Sequence, residues 1–141
     1  MLTPYAETQV ADIVRDHAAR KTPLKIFGGN TRSGFGNTVA AETALTSRAM
    51  NGIVSYVPAE MVITAKAGTP LATVEAALAE NRQMMAFEPM DHRPIMGTHG
   101  EPTIGGVFAA NVSGPRRYVA GGARGSLLGA RFFTGNGEHI T

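Results

Sequence analysis

The stretch Ile26-Phe27-Gly28-Gly29-Asn30-Thr31-Arg32-Ser33-Gly34 directly follows a short strand-like run and predicts a tight turn that binds a ligand. Glycine lacks a Cβ, so the backbone can take positive φ and approach a ligand closely. Consecutive free N–H groups in such a turn form a concavity that binds anions. A second glycine-rich stretch, Thr103-Ile104-Gly105-Gly106 leading to Asn111 and Ser113-Gly114, has the same character. Together they predict a site for one phosphate-bearing cofactor.

The composition indicates one compact globular domain. The chain has 141 residues, of which 43% are hydrophobic and 17% are charged, and its net charge is +2. The charges are mixed in sign, so no basic patch indicates a nucleic-acid partner. The chain contains no cysteine, which excludes thiolate metal sites, iron–sulfur ligation and cysteine catalysis within it.

The sequence shows neither a signal peptide nor a membrane-spanning segment, which predicts a cytoplasmic protein. The stretch from Met1 to Glu7 lacks the basic-then-apolar plan of a signal peptide. Nowhere is there an apolar run long enough to cross a bilayer. We therefore expect a cytoplasmic protein with no direct membrane insertion, peripheral to a membrane only through partners.

Periodicity and turn signals predict helices and strands in the first half. Thr3-Pro4 and Thr69-Pro70 each predict an N-cap followed by proline at the first helical position. Apolar spacing then predicts one helix ending near Lys21 and another from Leu71, through Val74, Ala77 and Leu78, to about Asn81. The predicted strands are 24–27, 53–57 and 61–67, the last two an antiparallel pair, whereas 39–45 is ambiguous.

The second half is less regular. We predict a short strand over 84–87, a long irregular segment over 88–102 and a short helix over 104–112. A loop that long within a compact domain is usually functional. Residues 114–125 resemble a loop and 127–134 a strand. Gly135-Asn136-Gly137 is a strong hairpin signal, and the chain stops at Thr141 within the returning strand.

Four motifs, in the right order, resemble flavoproteins of the vanillyl-alcohol-oxidase type, also called the p-cresol-methylhydroxylase type. They are Lys25–Thr31, Val62–Leu71, Thr103–Gly106 with Asn111 and Ser113-Gly114, and Leu128–Thr134 with the hairpin after it. The resemblance implies an α+β, two-part FAD-binding domain of the p-cresol-methylhydroxylase type. Its first part, with the pyrophosphate loop, would be residues 1–87, and residues 88–141 would begin the second. The family continues further, so the second part is expected to be truncated here.

The resemblance also implies which residues contact FAD. In the first stretch, backbone N–H groups would bind the pyrophosphate, the Thr31 and Ser33 hydroxyls would add hydrogen bonds, and Arg32 would add a charge-assisted contact. In the second, Gly105 and Gly106 would begin a helix and Ala109 would leave room for the flavin ring system. The Asn111 side chain would hydrogen-bond to a polar edge of the cofactor. The predicted cofactor-binding residues are Gly28, Gly29, Asn30, Thr31, Arg32, Ser33, Gly34, Pro89, Thr103, Ile104, Gly105, Gly106, Ala109, Asn111, Gly114 and Ile140.

Each of these features also has an ordinary structural interpretation. The first stretch could be a surface turn, and the second a small-residue helix packed on a sheet. His92 and His99 are interpreted as solvated loop histidines rather than metal ligands, because no carboxylate has suitable spacing. Arg116, Arg117 and Arg124 are interpreted as solvated or interface charge. We predict no metal site and no catalytic side chain, because the redox work would belong to the flavin.

Within this family the chain is most similar to FAD-binding subunits of bacterial glycolate oxidases. That implies flavin-mediated electron transfer in a 2-hydroxy-acid oxidase or dehydrogenase, with a second flavoprotein subunit and an iron–sulfur subunit as partners. Some family members attach FAD covalently through a histidine near the pyrophosphate loop. This chain has Asn30 and Thr31 in that region and no histidine nearby, so non-covalent FAD is expected. The alternatives are a non-redox assembly subunit with the same fold, or another flavin oxidoreductase of that fold.

Overall fold

A computed structural model describes all 141 residues and shows a mixture of short helices and short strands. The helices are α1 (Glu7–Ala19), α2 (Leu71–Glu80), α3 (Arg93–Met96), α4 (Ile104–Ala109), α5 (Arg117–Ala120) and α6 (Ala123–Ser126). The strands are β1 (Leu24–Phe27), β2 (Thr43–Thr46), β3 (Ile53–Val57), β4 (Val62–Ala65), β5 (Phe132–Phe133) and β6 (His139–Ile140). None of the helices combines the length and apolar character needed to cross a membrane.

The first helix begins three residues later than the Thr3-Pro4 signal predicts. Leu2 pairs with β2 instead: its N–H donates to the Ala44 carbonyl at 2.7 Å, and its carbonyl accepts from the Thr46 N–H at 2.9 Å. The chain before α1 is therefore extended, so the cap prediction at Thr3 was wrong. The predicted apolar face is confirmed, because Val10, Ala11 and Val14 are buried.

Strand β1 leads directly into the first glycine-rich stretch. It pairs in parallel with β2, with Leu24 opposite Thr43 and Phe27 opposite Thr46. Strand β2 lies at the end of the ambiguous 39–45 segment. The Ser47 N–H donates to the Phe27 carbonyl at 3.0 Å and extends the pairing to the last residue of β1. The turn at Gly28 therefore starts at a fixed strand end.

Strands β3 and β4 form the predicted antiparallel pair. Val57 lies opposite Val62, and the register shifts between Ile53 and Ser55. A single 3₁₀ turn over Pro58–Glu60 joins the strands, and Met61 closes it with φ of 54°. Strand β4 ends at Ala65, so the Ala67-Gly68 turn lies outside it and approaches the start of α4.

Helix α2 buries the predicted face, since Leu71, Val74 and Leu78 are all buried. Its N-terminus differs from the prediction. Thr69 does not cap the helix, because its hydroxyl bonds Gly52 and the Lys66 carbonyl, and Pro70 takes the cap position without a side-chain bond. The N–H of Leu71 instead donates to the Pro102 carbonyl at 2.8 Å. This bond ties α2 to the segment just before α4.

One core unites the two predicted parts. Eight buried residues form it, drawn from α2, from the turn before residue 88, and from α4 and the segment after it. They are Leu71, Val74, Leu78, Phe87, Ile104, Val107, Val112 and Ala123. The division between residues 87 and 88 stays a prediction, and the packing shows that any such parts share their apolar interior.

Several predicted elements of the second half are shorter than expected. Residues 84–87 form a turn rather than a strand, because the Glu88 N–H donates to the Met85 carbonyl and Phe87 turns into the core. The helix predicted over 104–112 ends at Ala109. The 114–125 loop contains the single-turn helices α5 and the start of α6, and of the 127–134 strand only β5 pairs. The hairpin turn is confirmed by a 2.9 Å bond from the Gly137 N–H to the Thr134 carbonyl.

Candidate cofactor site

The two glycine-rich regions of the chain meet in the structure. A Cβ placed on Gly28 would overlap the Thr103 hydroxyl, and one placed on Gly29 would overlap the Glu101 carbonyl. A Cβ on Gly100 would likewise overlap the Gly29 carbonyl. Glycine is required at Gly29 and Gly100 because backbone passes directly against backbone there, and at Gly28 because the Thr103 side chain fills the space. The bend at 28–34 and the bend at 98–103 therefore pack directly against each other.

Two threonine hydroxyls donate hydrogen bonds to carbonyl oxygens of the first bend. Thr46, the last residue of β2, donates to the Gly28 carbonyl at 3.1 Å. Thr98 donates to the Thr31 carbonyl at 3.0 Å, across a sequence separation of 67 residues. Both bonds hold carbonyl oxygens of the first bend, which leaves its N–H groups free to point elsewhere.

The first bend presents an unbroken run of free amides. No backbone N–H from Gly28 through Gly34 donates to any backbone or side-chain acceptor in the protein, although Gly29 and Thr31 are buried. Asn30 takes a left-handed conformation with φ of 58°, a conformation that is typical of anion-binding backbone turns. Buried backbone donors are nearly always paired, so this run fits an anionic ligand. The structure thus supports the anion concavity that the sequence predicts here.

The second stretch behaves differently from the prediction. The Gly105 N–H donates to the Ala67 carbonyl at 2.9 Å, and the Gly106 N–H donates to the Thr103 hydroxyl at 3.3 Å. These two amides are therefore occupied, and the expectation of free amides at both bends was wrong for this pair. A Cβ on Gly105 would lie 2.7 Å from the Ala67 carbonyl, so this glycine permits close packing of α4.

Free amides on the second side lie earlier in the chain. The N–H groups of His99, Gly100 and Glu101 have no acceptor within the protein. Sequence reasoning missed them, because it placed the contact at the Gly105-Gly106 pair. The signal that could have found them is Gly100, which lies between Gly97 and Pro102 within a long irregular segment.

Arg32 connects the first bend to the segment before α3. Its Nε donates to His92 Nδ1 at 3.2 Å, and one terminal nitrogen, Nη2, donates to the Met90 carbonyl at 3.2 Å. The other, Nη1, lies 3.7 Å from the position that a Gly106 Cβ would occupy. Partial burial lowers the pKa of the Arg32 guanidinium, and the Asp91 carboxylate opposes that shift. The guanidinium of the first stretch therefore lies between the segment before α3 and the start of α4.

The remaining predicted site residues occupy other positions. Asn111 has φ of 48° and accepts from the Arg124 N–H at 3.0 Å through its side chain. Gly114 packs within 2.6 Å of the Glu88 carbonyl, measured from an added Cβ, while Ala109 is exposed at the end of α4. Pro89 is half-buried immediately before Met90.

Ile140 lies apart from these residues in the terminal hairpin. It pairs with Phe132, and the hairpin contacts α1, where Arg131 and Glu7 form a 3.0 Å ion pair. The structure thus brings the two bends together and places Ile140 against a different element.

A polar cavity of about 240 Å³ lies next to the second bend. Glu101 and Thr103 line it together with Arg48, Asn51 and Thr73. The polar surface of the site therefore extends beyond the bends to Arg48, Asn51 and Thr73, for which no role was predicted.

Comparison with known proteins identifies the class. The family model described as the FAD binding domain matches residues 1–141, and the chain belongs to that family. The predicted α+β fold, the family resemblance and FAD as the cofactor are thereby confirmed.

Curated relatives narrow the comparison. The chain is 46% identical over 120 residues to the glycolate oxidase subunit GlcE of Escherichia coli (strain K12), which covers 85% of this chain and 32% of that protein. It is 30% identical over 138 residues to the mitochondrial D-2-hydroxyglutarate dehydrogenase of Bos taurus, covering 97% of this chain and 24% of that protein. The chain thus spans a third or less of these relatives.

Solved structures agree on the fold. A glucose dehydrogenase, wild-type Phl p 4.0202, aligns with a TM-score of 0.76 at 14% identity, over 98% of this chain and 27% of its own. An alkyldihydroxyacetonephosphate synthase aligns with a TM-score of 0.71 at 17% identity, over 98% of this chain and 25% of its own. At such low identity these similarities show the fold alone.

Proposed function

We propose that this chain holds FAD non-covalently in the FAD-binding subunit of a glycolate, or related 2-hydroxy-acid, oxidase or dehydrogenase. The observation that carries the proposal is the run of unpaired backbone N–H groups from Gly28 through Gly34. A diphosphate offers several anionic oxygens close together, which suits such a run of amides. When bound, the isoalloxazine ring supplies the redox chemistry, while the protein binds and orients it.

The chain's own residues divide the binding task. The amides of the first bend would hold the diphosphate, and those of His99, Gly100 and Glu101 would complete the anion site from the facing bend. Arg32 adds a positive charge beside the first bend through Nη1, which makes no hydrogen bond within the protein. The amides of Gly105 and Gly106 are already hydrogen-bonded within the protein, so this pair would not bind the diphosphate. Gly105 instead allows α4 to pack closely against Ala67.

The chemistry of the first bend favours a non-covalent cofactor. Residues 28–34 contain no histidine, cysteine or tyrosine that could form a bond to the flavin. Flavin released quantitatively into the supernatant on acid precipitation is the expected result. Flavin that stays on the precipitated polypeptide would contradict this part of the proposal.

The substrate class and partners are inferred from the relatives. Glycolate and D-2-hydroxyglutarate, which appear in the names of two of them, are both 2-hydroxy acids. The glycolate oxidase relative is a subunit by name, which supports an assembly with other subunits. A second flavoprotein subunit and an iron–sulfur subunit are the partners that the family resemblance implies. The 141 residues contain no cysteine, so none of them can ligate an iron–sulfur cluster through a thiolate.

A flavin and activity assay tests the proposal in two stages. The purified protein is first titrated with FAD, and saturable binding at one FAD per chain is expected. The protein is then combined with candidate partner subunits, and dye reduction is compared with glycolate, with D-2-hydroxyglutarate and without substrate. Dye reduction that depends on glycolate supports glycolate as the substrate. Dye reduction that depends on D-2-hydroxyglutarate would instead assign the substrate of the second relative. Absence of FAD binding would overturn it and favour a non-redox assembly role.

A further inference from the structure

Thr98 makes the single hydrogen bond that joins the two bends. Its hydroxyl donates to the Thr31 carbonyl at 3.0 Å, and no other hydrogen bond links residues 28–34 to residues 98–103. Thr31 is buried, with 4% of its surface exposed, and its carbonyl accepts from no other group of the protein. The orientation of this carbonyl therefore depends on one side chain of the other bend.

Helix α3 holds Thr98 in place. Gly97 ends the helix with φ of 62°, and the Thr98 N–H donates to the Arg93 carbonyl at 3.2 Å. Thr98 is half-buried, and a threonine side chain is restricted at χ1 because its Cβ is branched. The hydroxyl that reaches Thr31 is therefore presented from a fixed backbone with little rotational freedom.

The orientation of the Thr31 carbonyl determines the orientation of the next amide. A peptide unit is planar and trans, so the Thr31 oxygen and the Arg32 N–H point in opposite directions. The Arg32 N–H is one of the unpaired amides of the first bend. A hydroxyl that holds the carbonyl on one side therefore keeps this N–H on the other side, where a ligand can accept from it. Without the hydroxyl, the peptide would be free to rotate and turn the N–H away.

We propose that Thr98 is a positioning residue, whose hydroxyl keeps the Arg32 amide oriented toward the FAD diphosphate. This role rests on the proposed function, because it serves the same anion site. It goes beyond that function by making the amides of the first bend dependent on a side chain of the second. The same arrangement occurs at Thr46, whose hydroxyl donates to the Gly28 carbonyl and thereby orients the unpaired Gly29 N–H.

FAD titrations of hydroxyl variants test this role. Thr98→Val removes the hydroxyl at nearly constant volume, and we expect the FAD dissociation constant to rise on the order of tenfold, as for loss of one buried hydrogen bond. Thr98→Ser keeps the hydroxyl and should restore most of the affinity. Thr64→Val is the matched control, because Thr64 is an exposed residue of β4 whose hydroxyl makes no hydrogen bond within the protein. It should bind FAD as tightly as the unmodified protein does.

A readout without FAD separates positioning from a general loss of stability. The amide NMR signals of the first bend are compared in the unliganded proteins, at a temperature at which every variant is folded. In Thr98→Val the signal of the Arg32 amide should move, because its peptide is no longer held. In Thr98→Ser and Thr64→Val this signal should stay close to its position in the unmodified protein.

The outcomes separate this role from the function on which it rests. Unchanged FAD affinity in Thr98→Val, or an equal loss in Thr98→Ser or in Thr64→Val, would overturn the role of the Thr98 hydroxyl while leaving FAD binding intact. An unmoved Arg32 amide signal in unliganded Thr98→Val would overturn it as well. Failure of the unmodified protein to bind FAD would instead overturn the proposed function.

Discussion

Gly29 is the residue at which the two bends approach most closely. A Cβ there would overlap the Glu101 carbonyl, and the backbone cannot yield without separating the bends. We predict that Gly29→Ala lowers the free energy of unfolding by roughly 1–3 kcal/mol, as overpacking typically does, and weakens FAD binding more than stability alone explains. Urea unfolding and FAD titration at a temperature where both proteins are folded measure the two effects.

The control for this substitution is Gly129→Ala. Gly129 has no neighbouring atom within 4 Å of an added Cβ and no positive φ, so its replacement should change stability by less than about 0.5 kcal/mol. Equal effects of the two substitutions would mean that the bends do not touch at Gly29.

Asp91 gives a second prediction at the scale of single residues. Its pKa is lowered from 3.8 to about 2, first of all by side-chain hydrogen bonds from Arg93, and also by the Arg93 backbone N–H. We predict that Arg93→Gln moves this pKa back toward its ordinary value, as followed by NMR titration of the Asp91 carboxyl carbon. Because the folded-state pKa is lowered, the stabilisation is present above about pH 4 and is lost as the pH falls toward 2. An unchanged midpoint in the variant would show that Arg93 does not set it.

Sequence reasoning on single residues correctly predicted unpaired amides over residues 28–34 and wrongly predicted them at Gly105 and Gly106. The composition of residues 28–34 is sufficient to predict a concavity, because few other roles need two adjacent glycines directly after a strand. The state of the Gly105 and Gly106 amides depends on Ala67 and on the Thr103 hydroxyl. The Ala67 contact joins distant parts of the chain, and no local pattern reveals it.

Two threonines that precede helices show how local signals fail at the scale of elements. Thr69 and Thr103 both precede an apolar helical segment, and a capping role would be expected of each. Thr103 fulfils it by accepting from the Gly106 N–H at 3.3 Å. Thr69, fully buried, instead exchanges hydrogen bonds with Gly52 and the Lys66 carbonyl. Its neighbour in space, the segment before β3, determines this use.

The difference leads to a prediction about the two elements. Thr103→Val removes one helix cap and should cost about 1 kcal/mol of unfolding free energy. Thr69→Val removes the acceptor of the Gly52 N–H as well as the one O–H donor that the Gly52 and Lys66 carbonyls share, and should cost roughly 2–3 kcal/mol. Urea unfolding of the two variants measures the difference. A larger loss at Thr103 than at Thr69 would show that the hydroxyl of Thr69 is not the junction between β3, β4 and α2.

At the scale of the whole molecule, the two predicted parts share one core. Val74 on α2 and Val107 on α4 are buried almost completely in the same cluster, although they lie on opposite sides of the predicted boundary at residues 87 and 88. The apolar spacing predicted α2 correctly because one of its faces is continuous. It could not show that this face packs on α4, since that contact links residues far apart in sequence.

We therefore predict that the chain unfolds as one unit. Val74→Ala and Val107→Ala should each lower the free energy of unfolding by about 2 kcal/mol, the order expected for removing methyl groups from a packed core. Amide NMR signals of α2 and α4 should disappear at the same urea concentration in each variant. Loss of the α4 signals at a clearly lower concentration would mean that the two parts are separate folding units.

Binding of the FAD diphosphate by the free amides of residues 28–34 can be observed residue by residue with amide NMR during an FAD titration. We predict the largest chemical shift changes at Gly28 through Gly34, with further changes at His99, Gly100 and Glu101. The already bonded amides of Gly105 and Gly106 should move less. Saturable FAD binding that left the 28–34 amides unmoved, with the changes confined to other parts of the chain such as the terminal hairpin, would contradict it.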